Sequence, residues 1–571
     1  MRLTKLWTIP VIVLLLTACS TETLTDSTTT PTGDDAVSFA RLNVNLPSVP
    51  TTRAYTPDAG ADKEFMVMGK TRIFLFEKGA ATSEDDYTFL YEAEPTTWIK
   101  QFNAKASDTE YQDFESFIIK LQGANKVYHD LYALVVLNGE NIPVPTKGRT
   151  FGAYNAAVSI TYGNTSDYLG GTATGFFMAN AANGNVASDK ADPTVLVPLT
   201  LYNSPDAAKN GPGNNIYVER SAVKVTVTKA QEVYPLKSDD KVTVTPLAWT
   251  LTNTNLKMYP FHKVTGLRTG DTSYKDIWLT KASDGSTVAS RFLGPAFDGF
   301  RRTQWSMDPN YSKDLTTPDA CAAEFHVATA DEVTAKFSTS ASTSATETSQ
   351  AVYHPLYCAE NTFDIAHMKK GQTTAVIVKA RLATRTTTTG NNVFGVQGHV
   401  YSEGDLTKMV AEEASNFFGT EVSAENIDLF SLLEKEKATL TADNFKDIKK
   451  DETAFTPTTD QLNQLNAVIG PITVYKDGIC YYIAYIRHFG DETPWHSGDD
   501  TYGGNNKKYL GRYGVVRNNW YDLTIQDFAY PGSPKIPKPN PEDPDDDHSV
   551  ILLNVKVNPW AREDTKFVPL E

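Results

Sequence analysis

The residues best placed to do chemistry lie near the start of the chain. Cys19 follows Leu16-Thr17-Ala18, and small residues just before a cysteine are what a lipoprotein signal peptidase accepts. The cysteine sulfur then takes a diacylglycerol. Upstream, Arg2 and Lys5 form a short basic region, and Leu6 to Leu16 is an apolar run of eleven residues. That run is too short to span a bilayer and has the length of a secretory h-region. A plain signal peptide cut nearby would leave Cys19 incidental, but the polar, Thr-rich tether from Ser20 to Asp35 favours acylation. The second reactive position is Arg53. It sits in Pro50-Thr51-Thr52-Arg53-Ala54-Tyr55-Thr56-Pro57, a polar, proline-flanked stretch open to an Arg-specific protease. The plainer reading of Arg53 is an ordinary exposed arginine.

No catalytic constellation accompanies them. The nine histidines are scattered and none belongs to an HExxH pair. Gly69-Lys70-Thr71 has the ending of a phosphate-binding loop, yet position 64 is Glu64, where a glycine must let the backbone wrap the phosphates. There is no GxSxG nucleophile elbow. The acidic run Asp543 to Asp547 lacks the alternating spacing of a calcium loop. With Cys19 acylated, three cysteines remain. Cys480 lies in an apolar run and reads as a small buried hydrophobe. Cys321 and Cys358 either pair in an oxidising compartment or stay as thiols. No cysteine or histidine spacing suits zinc. The expectation is a protein without cofactor or metal, and not an enzyme.

The elements that position the two reactive residues are strands. The 571 residues are 40% hydrophobic and 11% aromatic, which excludes disorder throughout and leans towards β-structure. A net charge of -16 argues against nucleic acid as a partner. Short apolar or alternating runs recur between Gly, Asn, Asp and Pro, among them Leu131 to Leu137, Val223 to Val227, Ala375 to Val378 and Cys480 to Ile486. This pattern predicts β-sandwich domains. Helices are expected around Thr407 to Asp451 and at Tyr111 to Leu121, and an exposed loop at Ser338 to Gln350. A domain boundary is expected near residue 235.

Two strands stand apart. Ala40, Leu42, Val44 and Leu46 alternate with polar residues just upstream of Arg53, as in a half-buried strand. At the other end, Pro531 to Asp547 holds six prolines and five acids and reads as an extended, solvated spacer. Beyond it, Ile551, Leu553, Val555 and Val557 share one face of a second strand. Such a strand needs a partner sheet. It either folds back as an edge strand of its own domain or enters a neighbouring molecule by donor-strand complementation. Cutting at Arg53 would remove the lipid anchor together with the first strand and leave a groove. The second strand offers four apolar side chains, as many as the first.

These residues carry a resemblance. The chain resembles the short (Mfa-type) fimbria shaft subunits of Bacteroidales, within the wider fimbrillin family. The likeness rests on LTAC ending at Cys19, YALVVLN at Tyr132 to Asn138, YVERSAVKVTVTKAQ at Tyr217 to Gln231, and VIVKARLA at Val376 to Ala383. It rests above all on DGICYYIAYI at Asp477 to Ile486, VVRNNWYDLTI at Val515 to Ile525, and the acidic proline spacer with its following strand. The resemblance implies two transthyretin-like β-sandwiches, mainly all-β, with minor helical insertions. The implied division is signal peptide 1–18, lipidated propeptide 19–53, sandwiches 54–235 and 236–530, and linker with donor strand 531–571. It implies an outer-membrane lipoprotein precursor, an Arg-specific (gingipain-type) maturation protease cutting between Arg53 and Ala54, and copies of itself as partners in a cell-surface filament serving adhesion or biofilm formation. Accessory anchor and tip fimbrillins would be further partners. The alternative is a monomeric surface-anchored lipoprotein that binds glycan or protein, with Trp495 and Trp520 as stacking platforms, or a tip or accessory subunit.

Overall fold

The computed structural model describes residues 38–47, 67, 71–100, 111–121, 130–157, 160–161, 175–184, 193–265, 267, 279–281, 287–289, 292–294, 300–339, 342–344, 347–349, 352–386, 391–433, 437–489, 510–545 and 550–559. Its first large sheet is built from β1 (Phe39–Pro47), β2 (Arg72–Glu77), β3 (Thr88–Ala93), β4 (Pro95–Lys100), β5 (Tyr111–Lys120), β6 (Leu131–Leu137), β7 (Met178–Asn180), β8 (Val197–Pro198) and β9 (Asn214–Arg220). The nine strands run in the order β3-β2-β6-β7-β9-β1-β5-β4, with β8 beside β6. Both faces of this sheet are covered, which explains the continuous apolar run of β6. In β2, Ile73 and Leu75 enter one core with Leu42, Val44 and Val135, while Phe74 and Phe76 enter another with Phe151, Phe261 and Trp305.

The second half of the chain begins with β10 (Ala222–Lys229), β11 (Tyr234–Leu236), β12 (Asp239–Thr252), β13 (Leu356–Ala359) and β14 (Ala375–Thr384). An insertion follows: β15 (Val393–Val396), β16 (His399–Ser402), α1 (Glu403–Phe418), α2 (Thr459–Ile469) and β17 (Thr473–Tyr475). The chain then returns through β18 (Ile479–Tyr485), β19 (Asn519–Phe528) and β20 (Ile551–Pro559). The eight-stranded second sheet has the order β13-β10-β19-β11-β12-β14-β18, with β20 beside β19. Val223, Val225 and Val227 of β10 pack with Val376, Val378 and Leu382 of β14 and with Leu523 and Ile525 of β19 in one core. The expected class, mainly β with sandwich-like sheets and minor helical insertions, is what the chain adopts.

Several local expectations are corrected. Tyr111 to Leu121 is the strand β5 and not a helix, hydrogen-bonded to β1 on one edge and β4 on the other. Phe117 and Ile119 alternate into the core, and the two partner strands outweigh the weak helical spacing. Among the described residues of the Thr407 to Asp451 interlude, only the start is α-helical. Ser402 caps α1, its hydroxyl accepting from the Asp405 amide at 3.1 Å, and Gly419 ends it at φ 65°. Leu429, Phe430, Leu432 and Leu433, expected on a helix, instead lie on and beside a single 3-10 turn, Phe430–Leu432, where Leu429 and Leu432 pack into the core under α1 while Phe430 is 77% exposed. Within the expected loop from Ser338 to Gln350, Ser342–Ser344 and Glu347–Ser349 pair as a short hairpin. The change of sheet falls at Ser221, between β9 and β10, so the boundary expected near residue 235 lies inside the second sheet.

That change of sheet is held by buried charge. The Ser221 amide donates to the Phe177 carbonyl at 3.0 Å and the Asn518 amide to the Ala222 carbonyl at 2.8 Å. Around them Arg302 pairs with Glu219 at 3.5 Å, Arg517 with Glu360 at 3.1 Å, and His262 Nε2 lies 3.0 Å from Glu219. All five side chains are buried, so each relies on the others for what water would supply. Burial pushes the Glu219 carboxyl up to about 8 against the pull of Arg302 and Arg517. Burial, then the two arginines, hold the His262 imidazole well below its ordinary 6.5. The folded chain keeps a proton on Glu219 that the unfolded chain releases, so this group's contribution to stability falls as pH rises from 4.5 through about 8. His262 has the opposite sign: its contribution is lost as pH falls below 6.5. In thermal melts, Glu219→Gln should therefore compare more favourably with the parent at about pH 8 than at about pH 5, and His262→Gln the reverse.

Candidate assembly strands

β1 occupies the middle of the first sheet. It runs antiparallel to β5 from Phe39 opposite Lys120 to Pro47 opposite Tyr111, and parallel to β9 from Leu42 beside Asn214 to Asn45 beside Tyr217. In the sheet order β9 and β5 are joined only through it. Ala40, Leu42 and Val44 are fully buried and Leu46 is 3% exposed. At about 1.5–3 kcal/mol for each large apolar side chain, this face is a major part of the core it fills. The strand expected to be half-buried is thus buried on its inner face throughout.

Its outer face is fixed by polar contacts. The Ser116 hydroxyl donates to Asn43 Oδ1 at 2.7 Å, and Asn43 Nδ2 donates to Asn215 Oδ1 at 2.9 Å. Arg41 donates to the carbonyls of Lys209 and Gly211 at 3.1 and 3.3 Å, and Asn214 Nδ2 to the Arg41 carbonyl at 2.8 Å. Gly213 is required here: a Cβ on it would lie 2.3 Å from the Asn43 amide nitrogen.

β20 is the edge partner of β19, antiparallel from Pro559 opposite Asn519 to Ile551 opposite Phe528. Of the two readings of this strand, the isolated chain adopts the fold-back. Ile551 is fully buried, but Leu553, Val555 and Val557 are only half-buried against the second core, and Leu552 is 53% exposed. The expected solvated spacer is also corrected. The Tyr481 amide donates to the Ser533 carbonyl at 2.7 Å and the Ser533 amide to the Tyr481 carbonyl at 2.9 Å. Further on, the Lys370 amide donates to the Asp543 carbonyl at 2.8 Å. Asp545 is completely buried, its carboxylate 3.1 Å from Arg512 and accepting from the Thr373 hydroxyl at 3.3 Å. The prolines keep this stretch extended, while Asp545, among its described acids, is drawn inside. Sequence offers no mark that separates Asp545 from Asp543.

The other named positions fall as follows. Cys19, Arg53, Ala54 and Trp495 lie outside the described residues. Cys321 and Cys358 are both free thiols, so the pairing considered for them is not made. Cys321 packs with Leu315 and Phe325, whereas Cys358 and Cys480 belong to the second sheet's core. Burial pushes both core thiols up to about 12, which leaves them inert hydrophobes. Trp520 is no stacking platform. It is 7% exposed, donates to the Thr226 hydroxyl at 2.8 Å, and lies under Lys224 and against Tyr353.

The segment that contains β17, β18, β19 and β20 matches, over residues 473–566, a family described as "Major fimbrial subunit protein type IV, Fimbrillin, C-terminal". Over these residues the chain is similar to the C-terminal part of fimbrillins. No curated protein sequence matches the chain. Among solved structures it is similar to a fimbrilin from Porphyromonas gingivalis, at 12% identity and a TM-score of 0.32, covering 91% of this chain and 98% of that one. It is also similar to the tip fimbrial protein Mfa3 of Porphyromonas gingivalis with a C-terminal truncation, at 10% identity and a TM-score of 0.27, covering 91% and 100%. A fimbrial assembly protein from Parabacteroides distasonis is similar at 10% identity and a TM-score of 0.21, covering 61% and 96%.

Loss of the Asp545 carboxylate would leave a buried guanidinium without its anion. Asp545→Ala should cost about 3–5 kcal/mol in urea unfolding and make the 531–545 stretch the first site of limited proteolysis.

Proposed function

We propose that the chain is the structural subunit of a surface fimbria, polymerising by exchange of β20 for β1 after proteolysis at Arg53. The observation that carries this reading is the contrast between the two strands. β1 is a buried central strand joined in sequence to a cleavable segment, and β20 is an edge strand with three half-buried apolar side chains. While the chain is intact, β1 is held in its groove by covalent tether, at an effective concentration no other strand can match. Cutting at Arg53 ends that advantage and leaves Ala54 as the new N-terminus.

Moving β20 from its own edge into an emptied groove improves both of its interactions. Leu553, Val555 and Val557 would pass from partial to full burial, worth on the order of 1 kcal/mol each. Its backbone would pass from one hydrogen-bonded neighbour, β19, to two, β9 and β5. The fimbrillin match covers the donor end of the scheme. In this reading Cys19 anchors the precursor to the outer membrane, residues 19–53 are a lipidated propeptide, and the partners of the mature subunit are copies of itself together with anchor and tip fimbrillins. The filament serves adhesion, and the role is mechanical rather than catalytic.

An Arg-specific protease should convert the purified precursor into filaments visible by electron microscopy, running as heat-labile, SDS-resistant ladders on gels. Cut protein that stays monomeric at high concentration would defeat the reading. Deleting residues 549–571 should leave a folded monomer that no longer polymerises. Val555→Asp should act almost as strongly, since it carries a charge into a closed groove at a cost of several kcal/mol.

A further inference from the structure

β1 and β20 share more than an apolar face. Leu42-Asn43-Val44 of β1 recurs as Leu553-Asn554-Val555 in β20, with apolar residues continuing at Leu46 and Val557. Asn43 is the residue whose amide joins Ser116 to Asn215 and lies against the bare backbone of Gly213. We propose that the strand donated by a second copy of this chain enters the groove in the register that puts Asn554 in the place of Asn43. This rests on the exchange proposed above and adds to it the register and the residue that fixes it.

The register follows by elimination. Both strands are nine residues long and end in proline, so matching them end to end is the simplest alternative. That alignment sets Leu552 over Ala40, and then Asn554, Lys556 and Asn558 over Leu42, Val44 and Leu46. It therefore turns a lysine and two amides onto the apolar floor that Leu42, Val44 and Leu46 fill, because a slip of one residue turns every side chain to the opposite face. Slips of two residues keep the apolar face inward, so the outer face must decide between them. One such slip places Leu552 in the Asn43 position, the other Lys556. Neither can both accept from the Ser116 hydroxyl and donate to Asn215, and Ser116 is 6% exposed and would be left with a buried, unmet donor.

With Asn554 in place, Leu553 lies over Leu42 opposite Phe117, and Val555 over Val44. Lys556 takes the place of Asn45 on the outer face, where the backbone is in register with Asp113. Ile551 exceeds Ala40 in size at one end of the groove, and Val557 falls short of Leu46 at the other. The asparagine thus acts as a register key in a groove whose apolar positions alone would admit several alignments.

Cross-strand cysteines read the register directly, since residues directly opposite in an antiparallel pair can form a disulfide. Full-length Glu115→Cys/Val555→Cys protein, which keeps Asn554 and Ser116, should give subunits linked in covalent ladders once cut at Arg53 and oxidised mildly. Glu115→Cys/Leu553→Cys and Glu115→Cys/Val557→Cys should give none. Asn554→Leu should slow filament growth on the order of tenfold through the unmet partners, and Leu552→Ala should not. Filaments that link through position 553 or 557 instead of 555 overturn this register and leave the exchange standing. Cut parent protein that forms no filaments overturns both.

Discussion

A strand in the middle of a sheet cannot be subtracted. β1 satisfies the backbone of β9 on one side and of β5 on the other, and its inner face fills a core shared with β2, β6 and β9. An empty slot there would expose two rows of unpaired amides and carbonyls along with the apolar floor. Any event that removes β1 must therefore be followed by replacement. A groove filled from within has no call for a strand from outside; on the exchange proposed above, cutting at Arg53 would create that call.

The groove and the base of the donor strand belong to one continuous piece of chain. β9 lines the groove and, after the single residue Ser221, continues as β10, which runs parallel to β19 with Lys224 beside Trp520 and Lys229 beside Ile525. β19 in turn carries β20. Buried polar and ionisable groups surround that junction: Glu219 and Arg220 precede Ser221, Arg517 and Asn518 approach from the β19 side, and Arg302 and Glu360 close it. Such a network is weak evidence of stability, since apolar packing could do as well. Its directional hydrogen bonds instead set how the two sheets meet. In a filament built by the exchange proposed above, tension entering at the groove would pass through this segment to β19 and leave through the spacer that follows it.

The fold was legible where one face of an element is apolar. The alternation of Ala40 to Leu46 and of Ile551 to Val557, and the continuous run of β6, each pointed to the strand that forms. Tyr111 to Leu121 misled because its apolar residues satisfy two periods at once, and only the pairing with β1 and β4 decides between them. The outer faces were not legible. Nothing in the composition of the acidic spacer marks Asp545 as the one acid enclosed with Arg512, because burial of a charge depends on a partner 33 residues away in sequence. Likewise Gly213 reads as a turn glycine until the Asn43 amide is seen against it.

The enclosed Asp545 changes what the spacer can do. As a free extended chain, residues 531 to 547 would let the second strand search a wide volume. With Ser533 bound to Tyr481 and Asp545 to Arg512, the spacer is part of the second sheet's surface up to residue 545. Ile551 follows Asp545 by six residues, which at about 3.3 Å per residue span at most roughly 20 Å. On the exchange proposed above, a strand tethered so near its own sheet would favour a neighbour whose groove lies beside the loop that holds Asp545, between Met368 and Thr373. That would select one end-to-end orientation over the many that a long free linker would allow, and a uniform shaft would need a single orientation repeated at every joint.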